Sequence, residues 1–178
     1  MDVEAASRRL EALIRDVPDF PQPGVLFKDI TPILRNPRAL REAVDAMSTP
    51  FLDADIDVIV GLESRGFVFG APMAYNMGLG FAPVRKLGKL PADKIYVEYE
   101  LEYGSNTFEM HRDAVEPGQR VLIVDDLLAT GGTMRASIDL VERLGGQVVG
   151  LSFLVELGFL HGRDKLKGYD IHSIIRVQ

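Results

Sequence analysis

Val121-Leu-Ile-Val-Asp-Asp-Leu-Leu-Ala-Thr-Gly-Gly-Thr133 runs from four branched apolar residues through two acids into a small, glycine-bearing turn. Val121 to Val124 have the composition of a central parallel strand covered on both faces, and Asp125 and Asp126 are expected to stop it at its carboxyl end. Open α/β sheets bind ligands at that edge. Ala129, Thr130, Gly131, Gly132 and Thr133 then offer small side chains, hydroxyls and backbone N–H groups at the start of a helical pattern, which suits a phosphate dianion. Two carboxylates beside such a cradle would repel the anion unless they meet another part of the same ligand. A sugar phosphate satisfies both, its hydroxyls donating to the acids while its phosphate sits in the turn. Taken alone, the acid pair is equally a solvated strand end and the glycines an ordinary strand-to-helix turn.

Outward from this segment the chain alternates helical and strand patterns, as a mostly parallel sheet requires. Leu10, Leu13, Ile14 and Val17 recur at helical spacing and predict an amphipathic first helix. Pro18, Pro21, Pro23 and Gly24 end it in an irregular stretch leading to Phe27. Asn36-Pro37 is an N-cap and first-turn pair for a helix with Leu40, Ala43, Val44 and Met47 on its buried stripe. A strand is expected at 57–61, then the loop Glu63-Ser64-Arg65-Gly66, a helix over 67–77 closed by Gly78, and a strand over 80–84. The stretch 85–107 is polar and broken by Gly88, Pro91 and Gly104, so it reads as a long functional or mobile excursion. Met134, Ile138 and Val141 line a helix ended by Gly145 and Gly146. Strands follow over 147–155 and 171–177.

Composition narrows the chemistry. With 178 residues, 47% of them hydrophobic, one good core is expected and two are not. No apolar run is long enough for a membrane helix, and the N-terminus lacks the apolar segment of a secretory signal, so cytoplasm is the expected compartment. The absence of cysteine removes disulfides, thiolate metal sites and thiol nucleophiles, and His111, His161 and His172 have no metal-ligand spacing. A net charge of −6 argues against a general nucleic-acid binder. The basic group Arg85, Lys86, Lys89 and Lys94 is a solvated face by default. It begins, however, where a parallel strand ends, and an acidic protein needs cations beside a polyphosphate ligand.

Val121 to Thr133 resembles the phosphoribosyl-pyrophosphate (PRPP) signature of the type I phosphoribosyltransferases, in the form typical of the adenine phosphoribosyltransferase family. Phe20-Pro-Gln-Pro-Gly-Val-Leu-Phe-Lys-Asp-Ile-Thr-Pro32, Glu63-Ser-Arg-Gly-Phe67, the segment 86–91, Leu101-Glu-Tyr-Gly104 and Val155-Glu-Leu157 match the same family in the same order. The resemblance implies an α/β fold with a mostly parallel twisted sheet flanked by helices in one domain over 1–178. It adds a small N-terminal hood over 1–35 and a flexible catalytic loop over 85–107. It implies purine salvage: transfer of the 5-phosphoribosyl group from PRPP to adenine, giving AMP and pyrophosphate. Mg²⁺ is expected to be held mainly through the substrate, with no protein ligand set, and the protein is expected to be a homodimer.

The resemblance also implies roles for residues. Asp125 and Asp126 would hold the ribose hydroxyls, and Ala129, Thr130, Gly131, Gly132 and Thr133 the 5′-phosphate. Pyrophosphate would lie near Glu63, Ser64, Arg65, Arg85, Lys86 and Lys89, and adenine near Leu26, Phe27, Arg65 and Leu157. Glu102, with Arg65, is the implied catalytic residue. From spacing alone, Glu98, Glu100 and Glu102 alternate with Tyr99, Leu101 and Tyr103 as the polar face of a hairpin would. Related transferases for hypoxanthine and guanine carry an Asp where this chain has Ala129, and an alanine has no proton to exchange, so acid/base help to the base falls to another carboxylate. Lys28 departs from the Arg expected after Phe27, and an ammonium does not replace a planar guanidinium. Two other readings remain at this stage: transfer to a different base, or a PRPP-sensing regulatory protein.

Overall fold

The computed structural model describes residues 2–100 and 105–178. Asp2 caps α1 (Val3–Glu11) by accepting from the Ala5 N–H at 3.0 Å. The helix stops at Glu11, short of the spacing that runs on to Val17. Leu13 and Ile14 reach the same core as Leu10 from a turn, and Arg15–Val17 forms β1, paired antiparallel with β2 (Phe27–Asp29). Ion pairs stitch this ribbon: Lys28 Nζ meets Asp16 at 2.7 Å and Arg15 lies 3.8 Å from Asp29. Lys28, the residue that departs from the family pattern, is thus engaged within the ribbon.

Next come α2 (Thr31–Arg35) and α3 (Pro37–Ser48), with Asn36 accepting from the Arg38 and Ala39 N–H groups at 3.0 and 3.2 Å to open α3. A cap of this kind contributes about 1 kcal/mol. The remaining elements are β3 (Val58–Leu62), α4 (Arg65–Met77), β4 (Gly80–Lys86), β5 (Lys94–Glu100), β6 (Ser105–His111), β7 (Arg120–Leu128), α5 (Gly132–Arg143), β8 (Gln147–Leu157) and β9 (Ile171–Val177). No helix among the described residues is long and apolar enough to cross a membrane.

Seven strands form one sheet in the order β5-β6-β4-β3-β7-β8-β9. It is parallel from β4 to β9, and the β5–β6 hairpin adds to it antiparallel. The period-two strand pattern splits the core into two layers. On β7, Leu122 and Val124 face a cluster with Leu10 of α1, Met47 of α3 and Phe69 and Met73 of α4. Val121 and Ile123 face the opposite cluster, with Ile138, Leu140 and Val141 of α5 and Phe108 and Met110 of the hairpin. Both faces are covered, which is why these strands read as continuous apolar runs.

The topology fixes where a ligand can enter. From β3 the chain crosses to β4 on one side, whereas from β7 it crosses to β8 on the other, so right-handed crossovers place α4 and α5 on opposite faces. The gap between the carboxyl ends of β3 and β7 is therefore a switch point in strand order, open above the sheet.

One expectation is sharpened and another corrected. The stretch 85–107, read as a long functional or mobile excursion, carries regular structure: apart from 101–104, which lie outside the described residues, most of it is strand, with β5 and β6 paired from Lys94↔His111 to Glu100↔Ser105. Polar alternation on a two-sided ribbon hid it. Asp125 and Asp126 do not end β7; the ladder with β8 continues through Leu127 and Leu128.

Candidate active site

Arg65 opens α4 immediately after β3, and the preceding Glu63–Ser64 peptide is cis. Only glycine fits next. A Cβ on Gly66 would lie 2.8 Å from the Val124 carbonyl oxygen and 3.1 Å from Asp125 Oδ1. This close approach brings the start of α4 onto the end of β7 and carries Arg65 to the acids, where its Nε lies 2.7 Å from Asp126 Oδ2. The same guanidinium carbon stands 5.4 Å from the centroid of the Phe27 ring, within cation–π range. Arg65 therefore bridges the N-terminal ribbon and the switch point.

The acids on the two sides differ. Asp126 is buried, with 5% of its surface exposed, and its N–H donates to Asp125 Oδ1 at 2.9 Å. Desolvation, and then the neighbouring Asp126 charge, push the Asp125 carboxyl well above the usual carboxylate range. Desolvation also raises Asp126, against the opposing pull of Arg65. Glu63 is held low. Burial opposes its charge, but the hydrogen bond from Arg85 (Nε to Oε2, 3.1 Å), the Lys86 N–H at 3.0 Å and nearby positive charge outweigh it.

Glu63, Ser64, Arg65, Lys86, Asp125, Asp126, Ala129 and Thr133 all line one cavity of about 480 Å³. A smaller space of about 60 Å³ adjoins it, enclosed by the turn with Thr130 and Gly131. Gly131 sits at φ +79° directly before α5, a conformation that side chains with a Cβ disfavour, and the first N–H groups of α5 follow it. The turn combines free-standing helix N–H groups, a helix dipole and two threonine hydroxyls, so it can take a phosphate dianion.

Four further lining residues were not foreseen: Leu127 of β7, and Tyr99, Asn106 and Phe108 from the hairpin. Tyr99 hydrogen-bonds with Thr133 and Asn106, and burial holds its phenol above the ordinary value. Glu109, also unforeseen, is fully buried. Its carboxylate accepts from the N–H groups of Gly88, Lys89 and Leu90 at 3.0, 2.7 and 2.6 Å. Burial works against its charge, yet these N–H groups and Lys94 hold it low. The carboxylate thereby shapes the turn that follows Lys86 and carries Lys89. A glutamate set between Phe108 and Met110 was the available signal.

The base-side residues are less tightly gathered. Phe27 packs edge-on against Phe20 with ring centroids 5.1 Å apart, and it meets Arg65 as described. Leu26 is 50% exposed. Leu157 ends β8, opposite Val177 of β9, and packs against the α1–α3–α4 core. Arg85 is turned to Glu63, and its Nη1 donates to the Lys89 carbonyl at 3.3 Å. Glu102 lies outside the described residues.

This arrangement agrees with comparisons against known proteins. The phosphoribosyl transferase domain family matches residues 29–174. Adenine phosphoribosyltransferase of Thermobifida fusca is 58% identical over 171 residues, covering 96% of this chain and 97% of that one. The crystal structure of the enzyme of that name from Thermoanaerobacter pseudethanolicus superposes with a TM-score of 0.94 at 53% identity, over 96% of this chain and 99% of that one. The Saccharomyces cerevisiae enzyme, crystallised with D-2,5-dideoxy-2,5-imino-altritol 1,6-bisphosphate and adenine, gives 0.90 at 42% identity, over 96% of this chain and 98% of that one. With its fold, its switch-point cavity and its relatives in agreement, the chain belongs to the phosphoribosyl transferase domain family and, within it, to the adenine phosphoribosyltransferases.

Proposed function

We infer that this enzyme transfers the 5-phosphoribosyl group of PRPP to adenine, releasing AMP and pyrophosphate, in purine salvage. The observation that carries the reading is the meeting, in one cavity at the switch point, of a phosphate-competent turn, an acid pair with raised protonation and a basic strand end. The 5′-phosphate would rest on Ala129 to Thr133. Asp125 and Asp126 would accept from the ribose hydroxyls, and those donors would favour the ionised form that burial disfavours. Glu63, Ser64, Arg65, Arg85, Lys86 and Lys89 would surround the pyrophosphate, with Glu63 shaping the group through Arg85 and the Lys86 N–H.

As pyrophosphate departs, C1′ gains oxocarbenium-like charge. Positioning and charge placement account for the rate, and no covalent intermediate is needed. The donors in the cavity are carboxylates and hydroxyls, which fits Mg²⁺ brought in on the substrate phosphates. When bound, it supplies charge neutralisation of the leaving pyrophosphate. Glu102 would exchange the proton of the base. Closure of 85–107 would keep water from C1′.

Adenine would lie between Phe27 and Leu157 under the hood formed by 1–35. The main chain near Leu26 would offer a carbonyl to the 6-amino group and an N–H to N1. Hypoxanthine reverses both polarities, and each buried group left unpaired costs about 1 to 3 kcal/mol, so strong preference needs no dedicated side chain. The same reading extends to one domain over 1–178, acting as a cytoplasmic homodimer. AMP formation from adenine, PRPP and Mg²⁺, with hypoxanthine as competitor, tests it: adenine should be used almost exclusively, and equal use of both bases would overturn it.

A further inference from the structure

The phosphate-binding turn rests on another piece of backbone. A Cβ on Gly131 would collide with the carbonyl oxygen of Gly162, and a Cβ on Gly162 would collide with the carbonyl oxygen of Ala129 and come within 3.0 Å of Leu128. The two main chains are in direct contact on both counts, so the position of Gly162 sets the position of the turn. Gly162 belongs to a short helical turn, Gly162–Leu166, joining β8 to β9. Leu166 anchors its far end in the α5 core.

Its near end is fixed by charge. Arg163 Nε donates to both carboxylate oxygens of Glu156 at 2.9 Å, and Nη2 donates to Oε2 at 2.7 Å. The guanidinium also reaches the Ile171 carbonyl at 3.3 Å and Ser173 Oγ at 3.4 Å. Glu156 is 2% exposed and receives a second guanidinium, Arg176 at 3.3 Å. Burial disfavours its charge, but Arg163, Ser173 and Arg176 together hold its carboxyl below the usual range. A buried carboxylate gripped this way is rigid, and removing one partner leaves the other uncompensated. Glu156 and Arg163 do not line the catalytic cavity among the described residues, and no step of the transfer uses them.

We propose that Glu156 and Arg163 are positioning residues for the 5′-phosphate: their ion pair pins Gly162, and Gly162 buttresses Ala129 to Gly131 so that the N–H groups of the turn stay aimed at the ligand. The proposal deepens the phosphate reading of the turn and rests on it. It predicts an effect confined to ligands that carry the 5′-phosphate, since pyrophosphate would sit by the β3 and β4 ends.

Two variants test it from different directions. Arg163→Lys keeps the charge and loses the forked grip. Gly162→Ala leaves the ion pair alone and pushes directly on the Ala129 carbonyl. Thr130→Ala/Thr133→Ala serves as a direct lesion of the turn. For each, circular dichroism and Tm confirm folding, and inhibition constants against PRPP are measured for ribose 5-phosphate and for pyrophosphate. Both variants should raise the ribose 5-phosphate constant, by up to about 10²-fold, and leave the pyrophosphate constant unchanged. If the threonine variant alone raises it, the phosphate reading stands and the buttress is wrong. If none of the three raises it, the turn does not hold the 5′-phosphate and both readings fall. Equal rises for both inhibitors would show a general structural role and overturn the proposal.

Discussion

Glu63 at the end of β3 and the Asp125–Asp126 pair on β7 line the same cavity, yet their surroundings are opposite. Glu63 is saturated, with the Arg85 guanidinium and the Lys86 N–H both directed at it, and it is held ionised. The aspartates share a single guanidinium, Arg65, and their charge is disfavoured by burial and by each other. An acid satisfied by its own protein shapes a site; the buried, mutually repelling pair fits the proposed role of accepting from the hydroxyls of a ligand.

Replacing the pair is the severest way to break this contrast. Asp125→Asn/Asp126→Asn should cut AMP formation by several orders of magnitude while circular dichroism stays native, because an amide keeps the shape and loses acceptor strength. Near-normal turnover would remove the pair from the ribose site. Glu102 is a fourth carboxylate, proposed as the acid/base group. Glu102→Gln should slow the chemical step by roughly 10² to 10⁴, the usual share of a general acid/base, and pre-steady-state kinetics with an unchanged step would exclude it.

Gly131→Val sharpens the comparison from the phosphate side. A branched side chain at φ +79°, facing the Gly162 carbonyl, should raise KM for PRPP by up to about 10²-fold and leave KM for adenine nearly unchanged. Equal losses would mean general misfolding.

The smallest effect is in stability, and its sign differs between the two regions. The folded-state pKa of Asp125 is raised, so its contribution is fully present below 3.8 and is lost as pH rises through the folded value. Asp125→Asn should therefore raise Tm at neutral pH, with the gap closing as pH falls toward 3.8. Glu63 is depressed, so its contribution is present above 4.5 and lost as pH falls through its folded value. Glu63→Gln should lower stability at neutral pH by up to about 1 kcal/mol, the range of partly exposed ion pairs, and become neutral in acid. Differential scanning calorimetry across pH reads both; parallel slopes would contradict the assignment of opposite environments.

How much of this was readable before folding follows from how local each signal is. Val121 to Thr133 and Glu63 to Gly66 are contiguous, and two-sided burial writes itself as an apolar run, so the parallel part of the sheet and the loop after β3 were legible, although β7 runs on past the acids to Leu128. Tyr99, Asn106 and Phe108 reach the cavity only because β6 pairs with β4 at Arg85↔Glu109 and Lys86↔Phe108, a register that turn-rich, polar sequence does not announce. The β1–β2 ribbon was hidden for another reason. Leu10, Leu13 and Ile14 share one core, so their spacing imitated a longer helix although the chain turns after Glu11. Gly162 carries no side chain at all, and its contact with Gly131 is visible only in three dimensions.

The switch point between β3 and β7 also has a consequence for the life of the molecule. The two halves of the cavity come from distant stretches, and neither can engage a phosphoribosyl ligand before those strands pair. A nascent chain that has emerged only through β4 is blind to the ligand, so binding energy enters at the end of maturation. At a free ligand concentration a hundredfold above Kd, that energy stabilises the finished fold by about 2.7 kcal/mol and partial folds not at all. A saturating phosphoribosyl ligand is accordingly expected to slow proteolysis of the finished fold and to leave partial folds unprotected.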